Sequence, residues 1–445
     1  MKKLSLLTSS LCIALLSSQS YAANLNDIYQ QALDNDLELA AAHAQKEATL
    51  YQAAEARSAL LPQVNLQATY TETNIDKIEG KDSGIDPYDT TVYSASVQQT
   101  LFNLNSWYNW RAASAQGDSA ELQYALSEQQ LILRSAKAYF DVLRAQENLE
   151  TAQAQEKAVK RQLEQTQQRF DVGLVAITDV HDAEAQYDLS YANLIGQQAN
   201  LDISKENLQQ ITNQRFEDLS TLKDDIEYPQ PEKSAQEWVD AGMAKYKGIQ
   251  IALAGMDSAE YARKAGWLNY APVVNVSWAM QKGDQANMQA DPNTGALRST
   301  TFETDTQVLT LQASLPLFAG GRNYAAAKKA AAQEANAAVQ LDTQRRNVKN
   351  TIRSTYLQLK TAALTIKARK RSTISAQSAL DATQTGYKVG TRNIVEVLNA
   401  QQNLFSAQRD YANARYDYIL SLLQLKFYAG SLSKADVDTL NAWLK

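Results

Sequence analysis

Cysteine, proline and long apolar runs are all scarce in this sequence. Its only cysteine is Cys12, which lies in a segment predicted to be removed, so disulfides and thiol chemistry are excluded from the mature chain. Only 7 prolines and 16 glycines occur among 445 residues, which favours long uninterrupted helices. No segment beyond residue 22 approaches the ~20 consecutive apolar residues of a spanning helix, so none is predicted.

The first 22 residues have the pattern of a secretory signal peptide. Lys2 and Lys3 precede an apolar stretch at residues 4–16, and small residues at 20–22 suit cleavage. Cys12 lies inside the apolar stretch and away from the cleavage point, so lipidation is not expected. The net charge is −6, and it becomes −8 without the two lysines. An acidic exported chain is a poor nucleic-acid binder, and no nucleic-acid partner is predicted.

Motifs recur in the same order 210–217 residues further along the chain. This pattern predicts an internal duplication with halves at 23–230 and 231–445, joined near Pro229-Gln230-Pro231. The matching segments are 62–66 with 272–276, 170–173 with 387–390, and 177–183 with 394–400.

Each half contains two segments in which apolar and polar residues alternate strictly. Such alternation over eight to ten residues is typical of membrane β-barrel strands. The polar stretches near 73–91 and 282–304 are predicted to be extracellular loops. The alternating segments are 63–70, 93–101, 274–281 and 309–317, and the flanking aromatic residues, predicted to form an interfacial girdle, are Trp107, Trp110, Trp267 and Tyr270.

Two very long helices are predicted, at residues 103–170 and 323–385. The second has neither proline nor glycine, and at 1.5 Å per residue it would be roughly 95 Å long. Helices of this length indicate a coiled coil or a helical tube. Its predicted coiled-coil seam consists of Ile352, Tyr356, Leu359, Ala363 and Ile366.

Four strands cannot close a membrane barrel, because the smallest known barrels have about eight. An open sheet edge in lipid leaves backbone groups without hydrogen bonds, so the strands are expected to pair across subunits. Two chains would give about eight strands with a filled interior, and three would give about twelve with an aqueous pore. The strand count alone leaves both assemblies open.

Enzymatic chemistry is not predicted. The sequence has no Gly-x-Ser-x-Gly motif, no phosphate-binding loop and no Cys/His pair. Its two histidines, His43 and His181, stand apart in helical sequence, so neither a metal site nor a cofactor is expected.

The turns between the long helices, at residues 168–180 and 386–398, resemble the hairpin tips of the TolC family of outer-membrane efflux channels. The resemblance covers essentially the whole mature chain. It implies a homotrimer in the outer membrane of a Gram-negative bacterium, with a twelve-stranded barrel continued by a periplasmic α-helical coiled-coil barrel. It also implies a channel for drug efflux and type I secretion that works with a periplasmic adaptor and an inner-membrane transporter of the RND, ABC or MFS type.

Residue by residue, the resemblance implies a periplasmic gate. Tyr387 would bond Asp179, and Arg392 would bond Thr178 on a facing hairpin, with Gln168 in the same network. Where the family has two aspartates at the constriction, this sequence has Glu396 and Asn399. A trimer would therefore carry three acids there. Asp182, which corresponds to Asn399 in the first half, is acidic instead.

Two structural alternatives accompany this interpretation. Asn393 followed by Glu396 is also a capping-box pattern, in which the glutamate serves the start of a helix. A periplasmic coiled-coil scaffold without a pore would explain the long helices, but it would not need amphipathic strand pairs. A self-sufficient porin would explain the strands, but it would have no use for the helices.

Overall fold

The computed structural model describes residues 22–75, 77–78, 81–82, 85, 87–290 and 297–445. Residues 1–21 lie outside the described part, and with them almost all of the predicted signal peptide. The helices are α1 Leu25–Asn35, α2 Leu37–Ser58, α3 Leu104–Asp171, α4 Ile177–Thr212, α5 Ala235–Lys245, α6 Lys247–Trp267, α7 Arg322–Lys388, α8 Ile394–Tyr428 and α9 Lys434–Asn441. The strands are β1 Gln63–Thr73, β2 Lys77–Ile78, β3 Lys81–Asp82, β4 Tyr88–Phe102, β5 Val273–Ala290 and β6 Leu297–Ser314.

The two long helices dominate the molecule, as predicted. α3 has 68 residues and α7 has 67, so each is about 100 Å long. The predicted seam of α7 is confirmed, because Ile352, Leu359, Ala363 and Ile366 are buried and Tyr356 is partly buried. Near the sheet, α3 lies between α2 and α6, and α6 lies between α3 and α7. Further along, α3 packs against α4 and α7 against α8.

The four principal strands form one antiparallel sheet in the order β1-β4-β5-β6. Paired residues share a face of the sheet, so one face carries the row Val64, Val97, Trp278 and Leu309. The other face is mostly polar: one row is Gln67, Ser94, Gln281 and Thr306, and the next is Asn65, Ser96, Ala279 and Val308. Apolar side chains on the first face are exposed in the single chain: Leu66 is 81% exposed and Leu309 is 74% exposed. The sheet is therefore amphipathic, and each edge strand has one partner among the described residues.

The extent of the predicted loops was wrong. β5 and β6 stay paired from Val273 and Ser314 out to Ala290 and Leu297, through most of 282–304. Polar composition suggested a loop, but threonine-rich polar sequence also suits a strand, since β-branched residues fit a pleated surface. β4 likewise begins at Tyr88, inside the predicted 73–91 loop. At the other end, β6 stops at Ser314, short of the predicted residue 317, just before Pro316, which cannot donate to a ladder.

The helical segment before each strand pair is broken in two. Asp36 ends α1 in an extended conformation, and its side chain caps α2 by accepting a hydrogen bond from the backbone N–H of Leu39 at 2.7 Å. Arg134 on α3 binds the same carboxylate at 2.9 Å, which fixes the break against the long helix. Tyr246 makes the corresponding break between α5 and α6. No described helix is both long and apolar enough to cross a membrane.

The largest core lies midway along the long helices, where the short helices pack around them. Tyr139, Phe140 and Tyr416 are the largest fully buried side chains there. Two isolated β-bridges tie distant segments into this core: Ala23 pairs with Leu219, and Leu222 pairs with Leu444. The second bridge joins the segment between α4 and α5 to the last residues of the chain.

A buried polar network lies beside that second bridge. Arg415, 6% exposed, donates to the hydroxyl of Tyr228 at 3.1 Å and to the carbonyl oxygen of Lys223 at 2.7 Å. Tyr416 donates to the Glu147 carboxylate at 2.7 Å, and an Arg415 nitrogen lies 3.8 Å from the same carboxylate. Burial raises the pKa of Glu147, while the bond from Tyr416 and the charge of Arg415 oppose the rise.

We expect Arg415→Met to destabilise the fold by about 1–3 kcal/mol, because it removes the donor to the Lys223 carbonyl oxygen and the Tyr228 hydroxyl and leaves the half-buried Glu147 without its cation. Far-UV circular dichroism should show a lower thermal midpoint for the purified protein. The control is Arg371→Met on the exposed surface of α7, which should leave the midpoint nearly unchanged. Equal midpoints for the two variants would contradict the assigned role of the network.

Candidate functional site

The two hairpin tips have similar local geometry. α3 ends at Asp171 and α4 begins at Ile177, while α7 ends at Lys388 and α8 begins at Ile394. Gly173 has φ of 77° and Gly390 has φ of 81°, a region that glycine adopts without steric cost. Each glycine donates its N–H back to the end of the preceding helix, to Phe170 at 2.8 Å and to Tyr387 at 3.2 Å. The positive φ angles end both helices and reverse the chain.

A small apolar cluster holds the two hairpins together near the tips. It is separate from the main core and includes side chains from all four helices. Tyr187, Tyr387, Leu163, Ala376 and Ala400 pack around it partly buried. The buried members are Val159, Ala183, Leu380, Ile394, Val397, Leu398 and Leu404.

Tyr387 lies at the edge of this cluster, between apolar packing and a cation. The Arg169 guanidinium of the first hairpin lies 4.7 Å from the centre of its ring, a separation at which a cation is attracted to an aromatic face. The hydroxyl oxygen of Tyr387 is buried and has no hydrogen-bond partner among the described residues of the chain. Such a group is costly to leave unpaired, so the hydroxyl is a hydrogen-bonding group held ready at the tip.

Arg392 and Glu396, four residues apart in the sequence, form an ion pair. The backbone N–H of Glu396 donates to the Asn393 side chain at 2.9 Å, which caps the start of α8. The bond from Arg392 holds the pKa of Glu396 below its ordinary value of 4.5, with a smaller contribution from the backbone N–H of Asn393. Glu396 therefore takes part in the helix start and also carries a charge held by Arg392.

Gly386 determines where the Arg392 side chain can lie. A Cβ atom added at Gly386 would be 2.7 Å from Cγ of Arg392, closer than packed side chains come. The backbone N–H groups of Thr391 and Arg392 both donate to the Gly386 carbonyl oxygen, at 2.9 and 3.3 Å. The stem of Arg392 thus folds over a glycine at the end of α7.

The other predicted site residues lie at the same tips. Gln168, Thr178, Asp182 and Asn399 are exposed, and Asp179 is half-buried in the first turn of α4. Among the described residues of the single chain, neither the Tyr387–Asp179 bond nor the Arg392–Thr178 bond is formed. Arg392 binds Glu396 instead: it lies in the turn just before α8, and Glu396 lies in the first turn of that helix. The bond to Thr178 was expected on a facing hairpin.

Arg169 and Gly386 were not predicted from the sequence as site residues. Both lie in the motifs that define the tips, so their positions were visible. What was not visible is that the guanidinium of Arg169 crosses to the Tyr387 ring, since sequence spacing does not show which residues meet between hairpins.

Two segments of the chain match the same protein family. The profile of the family Outer membrane efflux protein matches residues 28–214 and again residues 244–431. The chain is 37% identical over 448 residues to outer membrane protein TolC of Vibrio cholerae, covering 100% of this chain and 99% of that protein. It is 29% identical to the alkaline protease secretion protein AprF of Pseudomonas aeruginosa, covering 97% of this chain and 89% of that protein.

The fold is shared with solved outer-membrane channels. The crystal structure of the Campylobacter jejuni CmeC outer membrane channel superposes with a TM-score of 0.78, covering 99% of this chain and 97% of that one, at 15% identity. From the two profile matches and the full-length identity, this chain belongs to the outer membrane efflux protein family.

Proposed function

We propose that this protein is an outer-membrane channel of tripartite efflux pumps and type I secretion systems. It would give drugs or secreted proteins a passage from the periplasm to the outside, with no catalytic step. The observation that carries the proposal is the joining of an amphipathic four-stranded sheet to helices of about 100 Å. Relatives named for efflux and for protease secretion support the two kinds of transport.

The proposed assembly is a homotrimer. β1 and β6 each have a free edge among the described strands, and lipid does not tolerate free edges. Pairing β6 of one chain with β1 of the next would give about twelve strands around an aqueous pore. The apolar face would contact outer-membrane lipid, and the face with Asn65 and Ser96 would line the pore. The helices would continue this barrel into the periplasm as an α-helical tube.

Exposed apolar residues along the helices support association between subunits. Ile195 and Ile203 on α4 are 55% and 59% exposed, and Leu357 and Leu364 on α7 are 60% and 50% exposed. Rows of exposed apolar side chains of this kind mark interaction surfaces. In the proposed trimer, α4 and α7 of neighbouring chains would cover each other.

The duplication gives each chain two comparable halves, residues 23–230 and 231–445. The double match of the family profile supports this division. Each half would contribute two strands and one helical hairpin, so a trimer would have six hairpin tips. Exposed apolar residues at these tips, Val172, Leu174 and Val389, would meet a periplasmic adaptor. The adaptor would join the channel to an inner-membrane transporter of the RND, ABC or MFS type.

We expect the detergent-purified protein from the outer-membrane fraction to have the mass of a trimer by light scattering. Ile203→Asp combined with Leu364→Asp should shift the mass toward monomer, because charges then face an apolar partner surface. Ser372→Asp, an exposed polar position on α7, is the matched control and should remain a trimer. A monomeric or dimeric wild-type mass would contradict the proposed assembly.

The proposed closed state of the channel uses the hydrogen-bonding groups at the tips. Tyr387 has a buried free hydroxyl, and Asp179 lies half-buried on the neighbouring hairpin as an acceptor. Arg392 keeps further N–H donors beyond its bond to Glu396, and these could reach Thr178 of an adjoining hairpin. Each bond would contribute about 1–3 kcal/mol, enough together to hold a state that a partner could release. Gln168, exposed on α3, would join the same network.

We expect Tyr387→Phe combined with Arg392→Ser to raise single-channel conductance in planar bilayers. The two changes remove donors and leave the buried seam of the helices intact. Lys388→Ser changes an exposed residue between them and should keep the wild-type conductance. Wild-type conductance in a correctly assembled double variant would rule out this gate.

Glu396 and Asn399 would form the constriction ring of the channel. One acid per chain gives three carboxylates around the pore, which would concentrate cations there. Arg392 offsets part of this charge, since it is bound to Glu396. Asn399 is exposed one turn further along α8 and adds no charge.

We expect Glu396→Gln to reduce the preference for cations, measured by reversal potential, and to do so more at low salt. The bond from Arg392 lowers the pKa of Glu396, which opposes the rise that repulsion among three carboxylates would cause and favours the ionised ring. Wild-type cation preference should therefore persist at pH 5. Asp182→Asn on the other hairpin is the control, and abolition of the preference by that variant alone would show that the charge lies in the first repeat.

A further inference from the structure

Two tyrosines and two cations lie together where the long helices meet the sheet. α3 begins at Leu104, shortly after β4 ends, and α6 ends at Trp267, shortly before β5 begins. At 1.5 Å per residue, the four side chains are within about 5–11 Å of these helix ends. The cluster consists of Tyr108 and Arg111 on α3 with Tyr261 and Lys264 on α6.

The cluster lies on the convex face of the helical layer. α2 contacts α3 through Tyr124, whose ring is 5.6 Å from that of His43, and Arg111 is about 140° away from Tyr124 around the helix. α7 contacts α6 through the ion pair of Arg263 and Glu334 at 2.7 Å, one position before Lys264. The layer of helices therefore curves toward the side on which α2 and α7 lie. The cluster lies on the opposite, convex side. In a closed tube the convex face is the outside.

Arg111 is held in place without a counter-ion. It donates to the hydroxyl of Tyr261 at 3.0 Å, and its guanidinium carbon lies 5.0 Å from the centre of that ring. Its side chain is exposed, and no described carboxylate lies within ion-pair distance. A guanidinium has five N–H donors, so most remain available for a ligand.

Lys264 adds a second cation on the same face. Its nitrogen is 5.4 Å from the centre of the Tyr261 ring and 6.0 Å from that of Tyr108. It also pairs with Glu260 at 2.7 Å, so Arg111 is the cation of the cluster that has no ion pair, with the Asp118 carboxylate as the nearby charge that acts on it. Trp107 and Trp267 flank the cluster and are 46% and 43% exposed, as aromatic side chains are at a membrane interface.

We propose that this cluster binds the phosphate of an anionic phospholipid in the periplasmic leaflet of the outer membrane. The inference rests on the proposed function, which puts the sheet across that membrane. The headgroup zone extends ~5–8 Å beyond the hydrocarbon core. Lys264 and Tyr108 lie about that far from the ends of α6 and α3, and Arg111 and Tyr261 lie a few Å further, within reach of a long side chain and a phosphate. An anchored guanidinium recognises phosphate through charge and paired N–H donors. The tyrosine rings supply the interfacial packing, and Tyr261 positions the arginine.

The test is native mass spectrometry of the full-length protein in detergent, titrated with phosphatidylglycerol or with phosphatidylcholine. Wild type should bind phosphatidylglycerol more tightly. Arg111→Gln should weaken that binding about fivefold, and Lys264→Gln in addition should weaken it further, since each surface cation contributes about 1 kcal/mol. Phosphatidylcholine binding should be unchanged in both variants. Arg111→Lys keeps the charge and should lose less than Arg111→Gln.

The matched control is Lys349→Gln, which removes an exposed cation from α7 about 40 Å from the sheet. Equal affinities of wild type for the two lipids, or an equal loss in the Lys349→Gln variant, would overturn the site. Inorganic phosphate that bound wild type as tightly as phosphatidylglycerol would also overturn it, because the site would then take free phosphate, as would a loss of trimer mass, which would make this face a subunit contact. Failure of the proposed function would look different: wild type would fractionate as soluble and bind neither lipid.

Discussion

The pairing of backbone groups at the edges of the sheet is the constraint on which the rest of the structure depends. Four strands with an apolar face cannot sit alone in lipid, because unsatisfied N–H and C=O groups cost several kcal/mol each there. In the proposed trimer, β6 of each chain would satisfy those groups by pairing with β1 of the next chain. The helices that leave the sheet would then share the same symmetry, since α3 and α7 follow directly from β4 and β6.

The helical layer meets a different demand, because it stands in water on both faces. A single layer of helices buries little apolar surface. The largest core therefore lies where the short helices pack against the long ones. Tyr139, Phe140 and Tyr416 lie there, beside the network of Arg415 and Glu147. Towards the tips only a small cluster around Ile394 and Val397 remains. Low burial at the tips is what a movable end needs, since local opening is easiest where few apolar contacts are lost.

Much of this could be predicted from sequence because periodicity is a local property. The seam at Ile352 and Leu359 and the alternation around Leu66 each follow from the spacing of apolar residues. The extension of β5 to Ala290 could not be predicted, because polar strands and polar loops have similar compositions. The contact between Arg169 and Tyr387 depends on how two hairpins are rotated against each other. The Arg392–Glu396 pair depends on how the turn before α8 is folded, and contacts between subunits lie beyond a single chain.

The bridge between Leu222 and Leu444 bears on the order in which the molecule can fold. The backbone N–H of Thr221 donates to the Lys445 carbonyl oxygen, and the N–H of Lys445 donates back to Thr221. The pairing that covers Leu222 therefore joins segments more than 200 residues apart in the chain. Contacts between distant segments form slowly, because a long loop has to close first. This part of the central core is expected to form late in folding, and until then Leu222 and its neighbours expose apolar surface that a chaperone could bind.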